Sequence, residues 1–531
     1  MGVRMENIEK IEITLIENGL STKYKLNKGE NLLTLLEKEG RFDFSHCGKK
    51  GICGKCQIRF LKGASLPLPS ERKAFTPQEL REGFRLACLT KPVRDCEIEL
   101  HFPKEKKMTV VTSMTDMSDE VEISENTKKN TENFIENNER SNTENNRDCD
   151  TVIAIDIGTT TVAMELRGVA TGKVYDTFCT INPQRAYGAD VLSRIDASNK
   201  GEGKKLQEVI QSVIEKGIIT LCQKGKERGL CKPKKAFLAG NTAMGQLLMG
   251  YSVENLGKYP FIPVDITQNE LFLADTDIVI LPGISAFVGA DVAAGIYYIK
   301  ECFQGFSKDR PSLLIDLGTN GEMALGTENH ILTTATAAGP AFEGGSGETI
   351  MGADMVASLD TLLKEKKLDE TGLLREPYFT EGAHVNQVFL KKEDVRTLQM
   401  AKAAVFSGIC ILMKKYGIYI DEIEKVYLAG GFGYYLNVES ATNIGLIPKE
   451  LKDKVVAVGN SSLQGAFQYG KNYIEGERDH SSVKVQKKSE ELERIIKSCE
   501  NINLAKEPEF QDLYIKSMDL KPLSCEELYY N

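Results

Sequence analysis

The stretch "TVIAIDIGTTTVAMEL" (residues 151–166) returns in altered form as "SLLIDLGTNGEMALG" (312–326). Each copy contains an apolar strand, an Asp-x-Gly-Thr turn and a second apolar strand. The two aspartates, Asp156 and Asp316, are 160 residues apart. One such motif alone fits any tight hairpin, whereas a repeated pair indicates a duplicated fold whose halves carry the same turn.

A second pair of segments supports the duplication. "KAFLAGNTAMG" (235–245) and "KVYLAGGFGYY" (425–435) both run from a strand into Leu-Ala-Gly and then into a turn. The glycines that end the two strands, Gly240 and Gly430, are 190 residues apart. Each half therefore holds a hairpin and, further along the chain, a strand that ends in Leu-Ala-Gly.

These turns have the chemistry of a nucleotide site. Backbone N–H groups and a threonine hydroxyl in a tight turn bind phosphate oxygens, and glycine permits close approach. An aspartate at the strand end can hold Mg²⁺ through water. Two facing hairpins would clamp the triphosphate of ATP, and the second glycine turn would let adenosine lie flat. The predicted ATP contacts are Gly158, Thr159, Thr160, Gly318, Thr319, Asn320, Gly430, Gly431 and Gly433.

The predicted catalytic residues are Asp156, Asp316 and Glu322. Glu322 follows the second turn closely, where it can orient a water molecule or a metal ion. A solvated turn charge explains its presence equally well, so both interpretations stay open. The arrangement resembles the actin, hexokinase, Hsp70 and acetate kinase superfamily across about 151–475. That resemblance implies an α/β duplicated ribonuclease-H-like domain with ATP in its cleft.

A cysteine loop lies near the start of the chain, in "FSHCGKKGICGKCQIRF" (44–60). The spacing is Cys47-x5-Cys53-x2-Cys56, followed by the distant Cys88 in "RLACLT". Four thiolates suit tetrahedral zinc or an iron–sulfur cluster. Zinc sites usually show two C-x2-C pairs, whereas here one pair lies in a glycine-rich loop. The spacing resembles [2Fe–2S] ferredoxins over roughly 8–103, which implies that these cysteines are the metal ligands.

Zinc and free buried cysteines are the alternatives to the cluster. Cys96 lies inside a strand pattern, which predicts a core residue and not a ligand. The surrounding pattern predicts a hairpin at "IEITLIE" and "STKYKLNKG", a helix at "NLLTLLEKEG" and a last strand at "CEIELHF" (96–102). We therefore expect an α+β ferredoxin-like (β-grasp) N-terminal domain.

The predicted domains are 1–103 for the [2Fe–2S] unit, 104–150 for a flexible linker, 151–475 for the duplicated domain and 476–531 for a C-terminal extension. The linker is rich in Asn, Glu, Lys and Thr and cannot bury enough apolar surface to fold alone. An isolated solvated helix is the alternative. In the extension, "SEELERIIKSCENINLA" predicts a helix that packs back on the body.

Bulk composition excludes several classes of function. The chain has 531 residues and a net charge of −9, which argues against a nucleic-acid binder. No apolar run reaches the roughly 18 residues of a membrane span, and the N-terminus lacks a signal-peptide pattern, which predicts a cytoplasmic protein. The 13 cysteines are expected to be metal ligands and scattered free thiols, not a disulfide framework.

The combination resembles the reductive activators of corrinoid-dependent methyltransferases. Further segments that carry this resemblance are "NPQRAYGADVLSRI", "LAGNTAM", "PGISAFVGAD", "ATAAGPAFEG" and "LAGGFG". The resemblance implies ATP-dependent reduction of a cob(II) cofactor to cob(I) on a partner corrinoid protein, with a low-potential electron donor. The family commonly continues the "GNT" segment with Thr and His, whereas this chain has Gly245 and Gln246.

Three other functions remain open at this point. They are an activator of acyl-CoA dehydratases or reductases, a redox-sensing regulatory protein, and a sugar or metabolite kinase with an accessory cluster. The first commonly carries a [4Fe–4S] cluster within the ATP fold, whereas the cysteines here precede that fold. The methyl-donor system, the reductant and a homodimer are likewise left open.

Overall fold

A computed structural model describes most of the chain. The described residues are 9–17, 20–39, 41, 51, 56–100, 150–318, 320–342, 352–385, 388–478 and 490–530. They belong to two compact units. The first comprises the described parts of Met1–Thr109 with Pro183–Glu202, and the second those of Val110–Asn182 with Gly203–Asn531. Nearly all of the predicted linker lies outside the described residues, so the domain boundaries stay predictions.

The first unit is an α+β fold built on one sheet. Its described strands are β1 (Lys10–Glu17), β2 (Leu20–Asn27), β3 (Gln57–Lys62), β4 (Phe84–Leu86) and β5 (Cys96–Leu100). Its described helices are α1 (Leu32–Lys38), α2 (Pro77–Arg81) and α3 (Val191–Ala197). The strand order is β2-β1-β5-β3-β4, with β1 and β2 antiparallel and β1 and β5 parallel. The predicted hairpin, first helix and last strand are confirmed.

Alternation of apolar residues explains how this unit forms. Ile11, Ile13 and Leu15 are buried on β1, because alternate side chains of a strand point to one face. The helix α1 buries Leu32 and Leu36 in the same core. One face of the sheet thus packs on a short helix, as the expected ferredoxin-like domain requires.

The second unit contains the two predicted halves. Its described strands are β6 (Thr151–Ile157), β7 (Thr161–Gly168), β8 (Val174–Ile181), β9 (Ala236–Gly240), β10 (Asn269–Leu273), β11 (Thr276–Ile280), β12 (Ser312–Leu317), β13 (Gly321–Thr327), β14 (His330–Thr336), β15 (Ala383–Val385), β16 (Val388–Leu390), β17 (Lys425–Ala429), β18 (Val455–Gly459) and β19 (Cys499–Asn501). Its described helices are α4 (Gly203–Glu227), α5 (Thr242–Met249), α6 (Ala290–Phe303), α7 (Gly352–Lys364), α8 (Tyr378–Glu381), α9 (Lys392–Tyr416), α10 (Gly430–Tyr435), α11 (Val438–Asn443), α12 (Ser461–Arg478), α13 (Glu491–Ser498), α14 (Phe510–Lys516) and α15 (Cys525–Tyr530).

The strand orders of the two larger sheets show the duplication directly. They are β10-β11-β9-β6-β7-β8 in the first half and β18-β17-β12-β13-β14-β19 in the second. In each, an antiparallel hairpin continues into a third antiparallel strand, and a later strand pairs parallel with the first strand of the hairpin. This later strand is β9 or β17, each of which includes Leu-Ala of the repeated Leu-Ala-Gly segment. The α/β duplicated ribonuclease-H-like fold is confirmed.

The helix α9 is the central core helix of the second half. By length and composition alone it is apolar enough to cross a membrane, but 83% of its most apolar window is buried within the protein. It contacts β13 and β14 and belongs to the large core cluster of this half. Its apolar character therefore follows from burial in this core.

Two helices, α6 and α12, cross with almost no space between their backbones. A Cβ at Gly465 would overlap the carbonyl oxygen of Ala294, and a Cβ at Gly295 would lie 2.7 Å from the Ser461 hydroxyl. Glycine is required where backbones approach this closely. The small residues of this part of α6 therefore allow the close crossing with α12.

The C-terminal extension packs on the second half, as expected. The predicted helix is α13, which buries Leu492 and Ile495, and the chain then adds β19 to the sheet. The expectation of free thiols is wrong for Cys410 and Cys525, which form a disulfide between α9 and α15. Their pairing depends on how the extension docks, which spacing along the chain does not reveal.

Candidate nucleotide and cluster sites

The two predicted aspartates occupy equivalent positions in their sheets. Asp156 is the second-last residue of β6 and Asp316 the second-last residue of β12. Their parallel-strand neighbours are Ala239 and Ala429, which come from the two Leu-Ala-Gly segments. The duplicated fold thus brings the hairpin aspartate and the Leu-Ala-Gly strand together in each half.

The turns after these aspartates are closed by backbone hydrogen bonds. The N–H of Gly158 donates to the carbonyl of Thr161 at 2.9 Å, and the N–H of Gly318 donates to the carbonyl of Asn320 at 2.9 Å. The Thr159 hydroxyl accepts a hydrogen bond of 3.0 Å from the Asn241 amide, next to the first Leu-Ala-Gly segment. Thr160 lies in the same turn, whereas Thr319 lies outside the described residues.

Glu322 is buried and faces Asp316. It is 8% exposed, so the solvated-charge interpretation is wrong. Asp316 and Glu322 are direct partners across the β12–β13 hairpin, which places both side chains on one face. Burial raises the pKa of Glu322 well above its ordinary value, and the charges of Asp291 and Asp316 add to that effect. A hydrogen bond from Asn320 opposes it.

Asp291 is a site residue that our sequence reasoning missed. It lies in the first turn of α6, where its carboxylate accepts the N–H of Val292 at 2.8 Å. Burial raises its pKa to about 7; the bond from Val292 lowers it, and the charge of Asp156 adds to the rise. Burial also raises the pKa of Asp316 to about 7, with the charges of Asp291 and Asp156 adding to it. An acid directly after a strand and a small-residue loop is the signal that could have indicated Asp291.

The side chain of Asp156 is held from the opposite half. Its Oδ2 accepts from the Asn460 amide and its Oδ1 from the Ser462 hydroxyl, both at 2.8 Å. Burial raises the pKa of Asp156, and these two hydrogen bonds oppose that rise. The carboxyl groups of Asp156, Asp291, Asp316 and Glu322 therefore form an interacting acidic cluster that favours a bound cation.

This acidic cluster is not a direct metal cage. Among the described residues, no group of three or more His, Cys, Asp or Glu side chains is arranged to ligate one ion. Mg²⁺ keeps several water ligands when it binds beside phosphates, so it needs few direct protein ligands. The donor set is therefore compatible with Mg²⁺ held largely through water and phosphate.

The glycines of the second half, which were expected to form a turn, instead begin the helix α10, and they lie beside Asp316. Gly430 has a φ of +80°, and a Cβ there would be 3.0 Å from Asp316 Oδ1. A Cβ at Gly433 would press on the backbone of Leu428 at 3.1 Å. At Gly431 nothing lies within 4 Å of the added atom, so this glycine borders open space. The start of α10 thus presents bare backbone toward a space beside the acidic cluster.

A small cavity opens at the ends of β9 and β11 in the first half. Its volume is about 40 Å³, and its lining includes Gly240, Asn241, Gln246 and Asp265. Gln246 is one of the departures from the resembled family, and it is buried there. Its amide nitrogen reaches the carbonyl of Asp265 at 3.5 Å, and its Oε1 has no hydrogen-bond partner among the residues that the structure describes.

In the first unit, the structure describes two of the predicted cluster ligands. Cys56 and Cys88 are buried, and the backbone N–H of Cys88 donates to Cys56 Sγ at 3.5 Å. A hydrogen bond from the Cys88 side chain lowers the pKa of the Cys56 thiol, and burial opposes this effect. Thiolates are the form that ligates metals. Cys47 and Cys53 lie outside the described residues.

Two other residues define the surroundings of these thiols. Gly51 has a φ of +70°, and a Cβ there would lie 2.5 Å from the Leu89 side chain. Cys96 lies in the core, as predicted, and burial raises the pKa of its thiol to about 11. Cys56, which is expected to ligate, and Cys96, which is expected to pack, thus differ in electrostatic environment. The donor chemistry of Cys56 and Cys88 fits a cluster that these two residues help to hold.

The fold and these sites define a class of protein: an iron–sulfur-type domain joined to a duplicated domain of the actin and hexokinase type. Residues 15–93 match the family model for the 2Fe-2S iron-sulfur cluster binding domain. Residues 151–300 match the RACo middle region, and 310–372 with 360–528 match the C-terminal domain of RACo, the ASKHA domain. The chain belongs to the RACo family.

Curated relatives share about a quarter of their residues with this chain. The corrinoid activation enzyme RamQ of Eubacterium limosum is 28% identical over 384 residues, which are 60% of this chain and 63% of RamQ. The [Co(II) methylated amine-specific corrinoid protein] reductase of Methanosarcina barkeri is 24% identical over 375 residues, 59% of this chain and 68% of that protein. The match thus spans less than two thirds of RamQ.

A solved structure extends the likeness of fold to nearly the whole chain. The reductive activator for corrinoid, iron–sulfur protein aligns with a TM-score of 0.61 and 23% identity. The alignment covers 98% of this chain and 100% of that one. At 23% identity, this structural likeness supports the fold alone.

Proposed function

We propose that this protein is an ATP-dependent reductive activator of a corrinoid protein. It would transfer one electron to an inactive cob(II) cofactor on the partner and return the cofactor to the cob(I) state. One observation carries the proposal: a single RACo-family chain joins a 2Fe-2S-type domain to a duplicated fold with an acidic cluster at its paired turns. The names of the curated relatives supply the substrate class.

The first unit would hold the electron carrier. Cys47, Cys53, Cys56 and Cys88 would ligate a [2Fe–2S] cluster, which supplies single electrons at low potential when bound. The backbone N–H of Cys88 points at the Cys56 sulfur, and such hydrogen bonds tune the potential of a cluster. Buried thiols also keep solvent away from the ligands. The predicted linker at 104–150 would tether this unit while it meets the partner.

The second unit would bind ATP with Mg²⁺ between its paired turns. Gly158, Thr159 and Thr160 in one turn, and Gly318, Thr319 and Asn320 in the other, would contact phosphate oxygens. Asp156 and Asp316 would orient water ligands of Mg²⁺. The open space beside Gly431 would receive adenosine against bare backbone, with Gly430 and Gly433 shaping the start of α10.

Hydrolysis needs a positioned water molecule beside the terminal phosphate. Glu322 is directly opposite Asp316 and accepts a hydrogen bond from Asn320, so its carboxyl group has a fixed orientation. Its raised pKa makes the Glu322 carboxylate a stronger proton acceptor than an ordinary glutamate. We assign Glu322 to water orientation, with Asp316 and Asp156 as the metal-site aspartates.

The energetic reason to couple these sites is the low potential of the cob(II) to cob(I) step. An uphill electron transfer costs roughly 2.3 kcal/mol per 100 mV. ATP can shift this equilibrium only by binding one conformational state more tightly than another. A site that gathers groups from both halves meets this requirement, because closing and opening would change its contacts with the nucleotide.

The proposal includes the cellular setting. The partners would be a corrinoid protein of a methyltransferase system and a low-potential electron donor, with no nucleic acid and no membrane. A homodimer is compatible with this activity. The predicted location is the cytoplasm.

An anaerobic spectroscopic assay tests the proposal. Purified protein with reconstituted cluster is mixed with a corrinoid protein in the cob(II) state, a low-potential reductant and Mg·ATP. We expect the cob(II) spectrum to convert to the cob(I) spectrum only when all components are present, with ATP hydrolysis stimulated by the corrinoid protein. A non-hydrolysable ATP analogue should not support repeated conversion.

The same assay separates the alternatives. Reduction at an equal rate without ATP would contradict the coupled mechanism. Transfer of phosphate to a sugar would indicate a kinase, and ATP turnover that responds to the cluster's redox state without any electron transfer would indicate a sensor. Reduction of an acyl-CoA enzyme but not of a corrinoid protein would indicate the other class of ATP-dependent activator.

A further inference from the structure

Asn460, which joins β18 to α12, and Ser462, in the first turn of α12, contact the first hairpin within the second unit. Asn460 and Ser462 are 304 and 306 residues from Asp156 in sequence, yet each donates a hydrogen bond to it. One donor reaches Oδ2 and the other reaches Oδ1, both at 2.8 Å. Two bonds to different oxygens fix both the position and the rotation of the carboxylate plane.

Asn460 is itself held in place by the helix it precedes. Its Oδ1 accepts the backbone N–H of Leu463 at 2.9 Å, which caps α12, while its amide N–H₂ group faces Asp156. These two hydrogen bonds determine the orientation of the Asn460 amide group, because a flipped amide would place its oxygen against the Asp156 carboxylate. The donor to Asp156 is therefore oriented by the start of α12.

The equivalent aspartate of the other half lacks this arrangement. Within the described part of the chain, the carboxylate of Asp316 accepts no hydrogen bond, and the influences on its pKa are burial and neighbouring charge. It lies against the backbone of Gly430. The two halves repeat the hairpin but differ in what restrains its aspartate.

We propose that Asn460 and Ser462 are positioning residues that hold Asp156 for the Mg·ATP site. This inference rests on the proposed function and deepens it. A carboxylate oxygen can accept about two hydrogen bonds, so one direction on each oxygen of Asp156 remains for water ligands of Mg²⁺. The donors come from the second half and the aspartate from the first, so the correct geometry exists only when the two halves are in register.

The crossing of α6 and α12 supports this role. Gly295 and Gly465 let the two helices touch, and α6 begins next to Asp291 in the same acidic cluster. The start of α12 thus has a fixed distance from both Asp156 and the first turn of α6. A displacement of α12 would change the contacts of Asp156 with Asn460 and Ser462 together.

Substitutions can separate positioning from folding. Asn460→Asp keeps an oxygen that caps α12 but replaces the donor with an acceptor facing Asp156. Ser462→Ala removes the other donor, and Ser462→Thr keeps the hydroxyl. The matched control is Ser461→Ala, because Ser461 is the buried neighbour whose hydroxyl has no hydrogen-bond partner in the described part of the chain.

The full-length protein is assayed for Mg²⁺-dependent ATP binding by calorimetry, for ATP turnover and for thermal unfolding. We expect N460D to lower kcat at least tenfold and S462A about tenfold, each with a higher Mg²⁺ requirement. The melting temperature should change little in S462A and should fall in N460D, which adds a second carboxyl group beside the buried Asp156. S462T should restore most of the turnover, and S461A should match the wild type in every measurement.

Turnover within twofold of wild type in both N460D and S462A would overturn the proposal. Equal losses in S462A and S462T, or a loss in S461A as large as that in S462A, would also overturn it, because the effect would then be structural. A failure of the proposed function would be seen in a different assay, the reduction of a cob(II) partner by the wild-type protein. Wild-type protein that binds Mg·ATP but cannot reduce a cob(II) partner would contradict that function, while the variants still decide the role of Asn460 and Ser462.

Discussion

Asp316 and Glu322 are direct partners across the β12–β13 hairpin, so two buried carboxyl groups share one face of the sheet. A protein accepts such an arrangement only with compensation, because burying charge without a counter-charge is costly. In the absence of a cation, raised pKa values reduce the charge. With Mg·ATP bound, the metal would supply the compensation.

Folding stability should fall with rising pH when no ligand is present. The pKa of Asp291 and that of Asp316 rise from 3.8 to about 7 on folding, so the folded state binds these protons more tightly. Their contribution to stability is complete below pH 4 and is lost as the pH rises through 7, by at most about 1.4 kcal/mol per pH unit for each group. Thermal unfolding between pH 5 and 8 measures it. Asp316→Asn should flatten the profile, and an unchanged slope in that variant would contradict the assignment.

A single substitution should impair either the iron–sulfur cluster or the nucleotide site, but not both. Asp316→Asn should reduce ATP turnover by about a hundredfold or more, because it removes a charge at the reacting centre, yet the visible spectrum of the cluster should remain. Cys56→Ser should lose or change that spectrum while Mg·ATP binding persists. Absorption spectra and calorimetry on both variants measure these outcomes. A variant that lost both properties would indicate that the two units do not act as independent modules.

Gly430 and Gly431 offer a matched pair for the adenosine surface. Gly430→Ala should destabilise the second unit by about 1–2 kcal/mol, because its φ is +80° and the new methyl group would meet Asp316. Gly431→Ala should leave unfolding nearly unchanged, since its methyl group meets open space. If adenosine lies there, G431A should weaken ATP binding about tenfold. Wild-type affinity in G431A would place adenosine elsewhere.

The disulfide between Cys410 and Cys525 should stabilise the second unit. It closes a loop with a sequence separation of 115, and cross-links of long loops typically contribute about 2–4 kcal/mol. A reductant should therefore lower the melting temperature of the wild type but not that of Cys410→Ser. Mass spectrometry under non-reducing conditions identifies the linked peptides. Equal melting temperatures with and without reductant in the wild type would contradict this expectation.

The sequence predicted the elements that depend on neighbouring residues. The hairpins β6–β7 and β12–β13 were recognisable because each strand is apolar and the turn between has a repeated composition. The Leu-Ala-Gly strands were recognisable for the same reason. Both the α/β duplicated fold and the first-unit hairpin followed from such local patterns.

The missed features depend on contacts between distant segments. Asp291 joins the acidic cluster only because the sheet order brings the start of α6 toward both hairpins. Asn460 and Ser462 reach Asp156 across more than 300 residues, and no spacing rule relates them. The burial of Glu322 likewise depends on the elements around β13, which left its two interpretations open at the sequence level.

The contact between α6 and α12 limits how this protein can evolve. At most interfaces a larger residue can be accommodated by repacking of its neighbours, but at Gly465 the obstacle is the carbonyl of Ala294, which has no alternative rotamer. A single methyl group would wedge the helices apart and shift the groups at their starts, including Asp291 and Asn460. Substitution at Gly465 is thus restricted by backbone atoms, which cannot repack as side chains do.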